Sequence, residues 1–146
     1  MVWNKKIPTE ELTKVTSVSI EFAKEFGKFL GENDMVTNRA GRIVSAKNKL
    51  TTNQLRKFFG EVKRLQMQGF DKSSLLMLKP KLAYAVGRAN KDNNQNSPQP
   101  KINDFYRVIS DAIDKVQDEN NFKNFIQIFE AIVAYHKVSE SGAVID

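Results

Sequence analysis

The 146-residue sequence contains no cysteine and a single histidine, His136. Without thiols there is no disulfide, thiolate metal site, iron–sulfur cluster or cysteine nucleophile. One imidazole leaves no His–His pair for a metal. No apolar run approaches the roughly 20 residues needed to span a bilayer. The opening Met-Val-Trp-Asn-Lys-Lys leads into no apolar stretch with a small-residue cleavage site, so no signal peptide is expected. Gly27, Gly31, Gly41 and Gly60 build neither G-x-G-x-x-G nor G-x-x-x-x-G-K, which excludes the common phosphate loops. Alternating strand patterns, hairpin turns and internal repeats are also missing. These absences lead to the expectation of a soluble, cytoplasmic, all-α chain that needs no cofactor.

What is present is an ordinary globular balance, 40% hydrophobic and 27% charged, in a length that suits one helical domain over 1–146. The charge is unevenly placed. Residues 1–38 carry five cations and six anions, and residues 92–146 carry five cations and nine anions. Residues 39–91 carry thirteen cations against Glu61 and Asp71 alone. A basic block of this kind is an electrostatic footprint for a polyanion, most often nucleic acid. The same charge pattern is met by a solvated basic face balanced by acidic groups elsewhere in the fold.

Apolar spacing predicts about five helices in a small bundle with no sheet. Pro8-Thr9-Glu10-Glu11 opens the first, with Thr9 as cap and Leu12, Val15, Val18, Phe22, Phe26 and Phe29 on its inner face, ending near Gly31. Residues 32–49 read as a loop with room for one short helical turn around Ile43 to Lys47. Thr51-Thr52-Asn53-Gln54 is a capping-box pattern that starts a helix running to about Gln68, with Gly69 as a left-handed cap. The stretch from Ser73 to Asn90 contains Pro80, which predicts a short turn at Ser74–Leu78 and then a helix with Pro80 near its start. Residues 90–100 are a polar linker, expected to be poorly ordered. A fourth helix follows from Ile102 to Val116, and a fifth from Phe122 to about Lys137, with a frayed tail over 139–146.

Two helices are read as basic surfaces. At about 100° per residue, Arg56, Lys57, Lys63 and Arg64 fall opposite the arc of Leu55, Phe58, Phe59, Val62 and Leu65, with Gly60 among them. Four cations on one face repel one another, and a central glycine costs about 1 kcal/mol against alanine. In the next segment Lys81, Tyr84 and Arg88 share a flank, and Lys79 and Lys81 bracket Pro80. An aromatic among cations suits a single nucleic-acid strand, where a base stacks while the phosphates are neutralised. A tyrosine packed on a neighbouring helix would look the same in sequence.

No catalytic constellation is found. His136 reads as a packed histidine, with Glu140 placed beyond the helix end. Asp111, Asp114 and Asp118 have a spacing that Mg²⁺ could use, but Arg107 and Lys115 beside them favour a solvated acidic face.

Three stretches carry a family resemblance. Leu50-Thr51-Thr52-Asn53-Gln54-Leu55-Arg56-Lys57 resembles the opening of the central basic helix in the small α-helical subunit of type III-A CRISPR effector (Csm) complexes. Leu78 to Arg88 resembles that family's basic helix with its Tyr and Gly-Arg ending. Phe129-Glu130-Ala131-Ile132-Val133-Ala134-Tyr135-His136-Lys137 resembles its C-terminal helix. The resemblance implies a non-catalytic subunit, repeated side by side along the guide RNA to line the groove where target RNA pairs, with cleavage carried by other subunits. Partners are then guide RNA, target RNA, other effector subunits and further copies of the chain. Arg56, Lys57, Lys79, Lys81 and Arg88 match the family's basic motifs; Lys63, Arg64 and Tyr84 join the expected RNA-binding set on placement, and Lys49 on charge. The three stretches leave residues 32–49 and the Asn-rich linker without a quotable match, so Arg39, Arg42, Lys47 and Lys49 stand on charge alone. The rival reading is an adaptor whose basic face docks an acidic protein. Because the fifth helix is apolar over most of its circumference, dimers or short oligomers are also expected, with the last two helices in or near the contact.

Overall fold

The computed structural model describes residues 2–91 and 97–145. The Asn-rich centre of the expected linker, residues 92–96, lies outside them, as does the last residue of the expected frayed tail. The described residues form a predominantly helical fold with a small two-stranded antiparallel sheet.

The first expected helix is two elements. A 3₁₀ turn covers Thr9–Leu12, and helix α1 covers Ser17–Leu30. The break falls where Thr16 makes a better cap than Thr9. Its side chain accepts from Val18 N, and Ser19 Oγ accepts from Thr16 N. Glu11 folds back under this start and accepts from both Thr16 and Ser19 hydroxyls. The result is a buried polar knot that a continuous helix would not permit. Val18, expected on the inner face, is exposed.

The second correction concerns residues 32–49. In place of a loop or a helical turn they form a hairpin, with β1 (Met35–Thr37) antiparallel to β2 (Ile43–Ser45) and Val36 opposite Val44. Its turn is built by Asn38, whose side-chain oxygen accepts from Ala40 N and Arg42 N, and by Gly41 at φ +79°. Strands of three residues are too short to show an alternating pattern.

Helix α2 (Thr52–Gln68) begins at the expected capping box, with Thr51 and Gln54 exchanging hydrogen bonds. Gly69 has φ +91° but an extended ψ of 167°, so it turns the chain outward and is not a left-handed cap. Helix α3 (Lys72–Leu76) is capped by Asp71, and α4 (Leu78–Asn90) carries Pro80 in its first turn, as the spacing predicts. Helix α5 spans Ile102–Lys115, and its last carbonyls receive the Lys72 ammonium, which bonds Ile113 O and Val116 O. Helix α6 runs from Glu119 to Ser141, one turn further than expected. Gly142 closes it at φ +77°, and Ser139 Oγ donates to Lys28 O.

α6 is the centre of the fold. It runs in the same direction as α1 with their backbones in close approach: a Cβ on Gly27 would stand 2.8 Å from His136 N, and one on Gly31 would stand 2.8 Å from Ser139 Cβ. Phe125, Phe129 and Ile132 are buried on α6, in one core with Phe26 and Leu30 of α1 and Phe105 of α5. Phe129 meets Phe105 edge-on at 5.9 Å and stacks with Phe59 at 6.3 Å. Each such ring contributes about 1.5–3 kcal/mol on leaving water. Most of the apolar circumference of α6, Phe122, Phe125, Ile126, Ile128, Phe129 and Ile132, is thus covered within one chain, while Val133 and Tyr135 stay partly exposed.

Candidate nucleic-acid interface

α2 and α4 lie antiparallel on the outer side of the core, each burying one apolar stripe: Leu55, Phe58, Val62 and Leu65 on α2, Leu78 and Leu82 on α4. Their polar flanks face each other across a shallow groove of about 300 Å³, lined by Asn53, Gln54, Lys57, Phe58, Ala85, Arg88 and Ala89. Further along it, Glu61 receives Arg64 at 2.9 Å and Lys81 at 3.0 Å. Four cations, Lys57, Arg64, Lys81 and Arg88, therefore share this groove with one carboxylate. The Lys81 and Arg64 hydrogen bonds hold the Glu61 carboxyl below its usual range, outweighing its burial, so it stays ionised at neutral pH. Lys57 and Arg88 make no ion pair among the described residues. Tyr84 stands on the outer side of α4 with 71% of its surface exposed. It is not packed against a neighbouring helix.

The other flank of α2 faces α6. Arg56 and Lys137 border an apolar groove of about 230 Å³ floored by Leu55, Phe59, Val133 and Ala134. Lys63 pairs with Glu130 of α6 at 2.7 Å and lies 5.3 Å from the Phe59 ring centroid. The four cations of α2 are thus divided between two grooves, and a second carboxylate, Glu130, serves them besides Glu61. Gly60 stands on the crest between the grooves, where a Cβ would meet nothing within 4 Å. Lys79 ties α4 to α5 through Asp114 at 2.8 Å. Lys49 is half-buried at the entrance to α2, its backbone N donating to Asn33 Oδ1.

His136 is buried, with Nε2 2.6 Å from Leu50 O. Glu140 lies within α6 and not beyond it, where it accepts from the Thr52 hydroxyl. The acidic residues around α5 are engaged: Asp111 with Lys6 and Lys115, Asp114 with Lys79, and Asp118 as the cap of α6. Among the described residues no group of three His, Cys, Asp or Glu is placed to hold a metal ion. No helix of the described residues is long and apolar enough to cross a membrane.

The hairpin is what sequence reasoning missed. It lifts Arg39 and Arg42 to an exposed tip, and Lys47 stands at its exit with φ +54°. The available signal was Asn38 followed by Gly41, a turn pattern without strands long enough to flank it.

Comparison with curated proteins and with solved structures returns no match. A protein-family model described as Csm2 Type III-A matches residues 32–141, which is more than half of the chain and includes the hairpin and both basic helices.

Proposed function

This chain belongs to the Csm2 Type III-A family and is a small subunit of type III-A CRISPR complexes; we propose that its part there is to hold RNA by the phosphate backbone along the α2–α4 groove. The single observation that supports this most is the run of four cations between α2 and α4, Lys57 and Arg88 lining the groove and Arg64 and Lys81 sharing Glu61 beyond it. Such a groove neutralises phosphates without reading bases, because these cations face a backbone track and present no fixed donor–acceptor pattern to a base edge. Tyr84 offers a stacking platform beside the groove, which tolerates any base.

In this reading the subunit is non-catalytic and lies beside the paired guide and target RNA. Neighbouring copies and other subunits complete the track. A lone groove of four cations binds weakly, and the assembly multiplies it.

Two measurements test the reading together. The protein should co-purify with an RNA-containing assembly, and alone it should shift random single-stranded RNA in a salt-dependent way. Capture of acidic proteins with no RNA shift at low salt would replace it with the adaptor reading.

A further inference from the structure

The hairpin of residues 35–45 is short, exposed and yet firmly anchored. A two-stranded ribbon of this size is marginal by itself in water. Its base is held by a buried polar network. Asn48 accepts from Asp34 N at 2.9 Å and donates to the Asp34 carboxylate and to Gln99 O. Lys101, only 3% exposed, pairs with Asp34 at 3.4 Å, donates to Phe29 O, and lies 4.1 Å from the Phe29 ring. Lys101 N donates to Asn48 O at 2.8 Å. Burial raises the Asp34 pKa, but hydrogen bonding and positive charge, the Asn48 amide and the Lys101 ammonium among their sources, together outweigh it, and the carboxyl stays below its usual range. A buried ammonium and carboxylate are costly unless paired in this way. The fold therefore spends polar burial on fixing a ribbon whose own side chains contribute little to the core.

Those side chains point elsewhere. The register places Met35, Thr37, Ile43 and Ser45 on one face, and there Met35 is 60% and Ile43 73% exposed. Val36 and Val44 occupy the other face. The tip carries Arg39 and Arg42, and no Asp or Glu occurs between Asp34 and Glu61. Over the same span lie Arg39, Arg42, Lys47, Lys49, Arg56 and Lys57. The ribbon also stands at one end of the α2–α4 groove. Residues 48–51 lead from it into the first turn of α2, and its brace reaches Gln99, next to Asn103, which bonds Asn90 at the end of α4.

We propose that this hairpin is an RNA-contacting arm, in which Arg39 and Arg42 hold phosphates while the exposed Ile43–Met35 face lies against a base and loosens its stacking. The claim rests on the groove reading above and extends it to a second contact. Cations beside an exposed aliphatic wedge are the combination by which proteins unstack a base step. The absence of any carboxylate along this run of chain favours a polyanion over a protein surface, which would present mixed charge.

The test uses the full chain and short single-stranded RNA carrying 2-aminopurine at scattered positions. Wild type should raise the 2-aminopurine fluorescence on binding. Ile43→Thr, which keeps the strand preference and removes the apolar tip, should abolish that rise and weaken binding about fivefold at every salt concentration, with an unchanged salt slope. Met35→Thr repeats the test on the same face. Arg39→Gln with Arg42→Gln should instead flatten the slope of log K against log salt by about 1.4. A groove variant, Lys57→Gln with Arg88→Gln, runs beside them. If the groove variant loses affinity while all hairpin variants bind and fluoresce as wild type, the arm is refuted and the groove stands. If the hairpin variants lose affinity and the groove variant does not, the arm stands and the groove is refuted. Hairpin variants that bind RNA normally but fail to enter the effector complex would show a protein-docking element and overturn the proposal.

Discussion

Glu61 offers a perturbation whose sign is unusual: removing it should strengthen RNA binding. Its carboxylate occupies Arg64 and Lys81 at 2.9 and 3.0 Å, so half of the groove's four cations are internally engaged. Glu61→Gln keeps the shape and helix preference of the side chain and removes the charge. The stability cost is small, because Arg64 and Lys81 have side chains 49% and 47% exposed and water replaces the lost partner. Pairs of that kind are worth about 0–1 kcal/mol. The gain in binding follows from counterion release. Each cation that becomes available to a single-strand phosphate steepens the salt slope by about 0.7, which is roughly eightfold in affinity at 50 mM salt and threefold at 200 mM. If both cations turn to phosphate, the factors rise to about 60 and 10. Fluorescence anisotropy with labelled single-stranded RNA over a salt series measures both slope and affinity. Unchanged affinity with an unchanged slope would refute the assignment of this groove to RNA.

Four further predictions concern the scaffold. Gly27→Ala should lower stability by about 1–3 kcal/mol by pressing a methyl into α6, although alanine is the better helix former. Gly60→Ala, whose added carbon meets nothing, should raise it by about 0.5–1 kcal/mol; urea titration reads both. Ser19 and Thr16 hydrogen bonds hold the Glu11 carboxyl below its ordinary 4.5, outweighing burial. Its stabilising contribution is therefore complete above the unfolded pKa and is lost as pH falls through the lower folded value. Glu11→Gln should be less stable than wild type at pH 7, with the gap closing under strong acid. His136→Phe strands the Leu50 carbonyl at a cost of about 1–3 kcal/mol, yet RNA affinity of the folded protein should not change.

The long elements were legible because their signals repeat. α2 shows four buried apolar residues at helical spacing behind a capping box, and Pro80 marks the break before α4. The hairpin was not legible, because three-residue strands carry no period and its support comes from Asn48 and Lys101, which are remote in sequence. The start of α1 is hidden for a related reason: Thr9 and Thr16 are equivalent caps until Glu11 folds back onto Ser19. Within the basic block, helical angles identified which cations point outward. They could not show which are engaged, since Glu130 and Asp114 come from α6 and α5. Sequence alone ranked Arg56, Lys57, Lys63 and Arg64 together, whereas the fold pairs Lys57 with Arg88 and commits Lys63 to α6.

The most direct test of the central claim is crosslinking of RNA to this subunit inside the assembled effector complex, followed by identification of the modified peptides. Binding along the α2–α4 groove predicts adducts on peptides containing Lys57, Tyr84 and Arg88, lost when Lys57 and Arg88 are both changed to Glu while assembly is retained. Adducts confined to other surfaces of the chain, or undiminished in that variant, would contradict it.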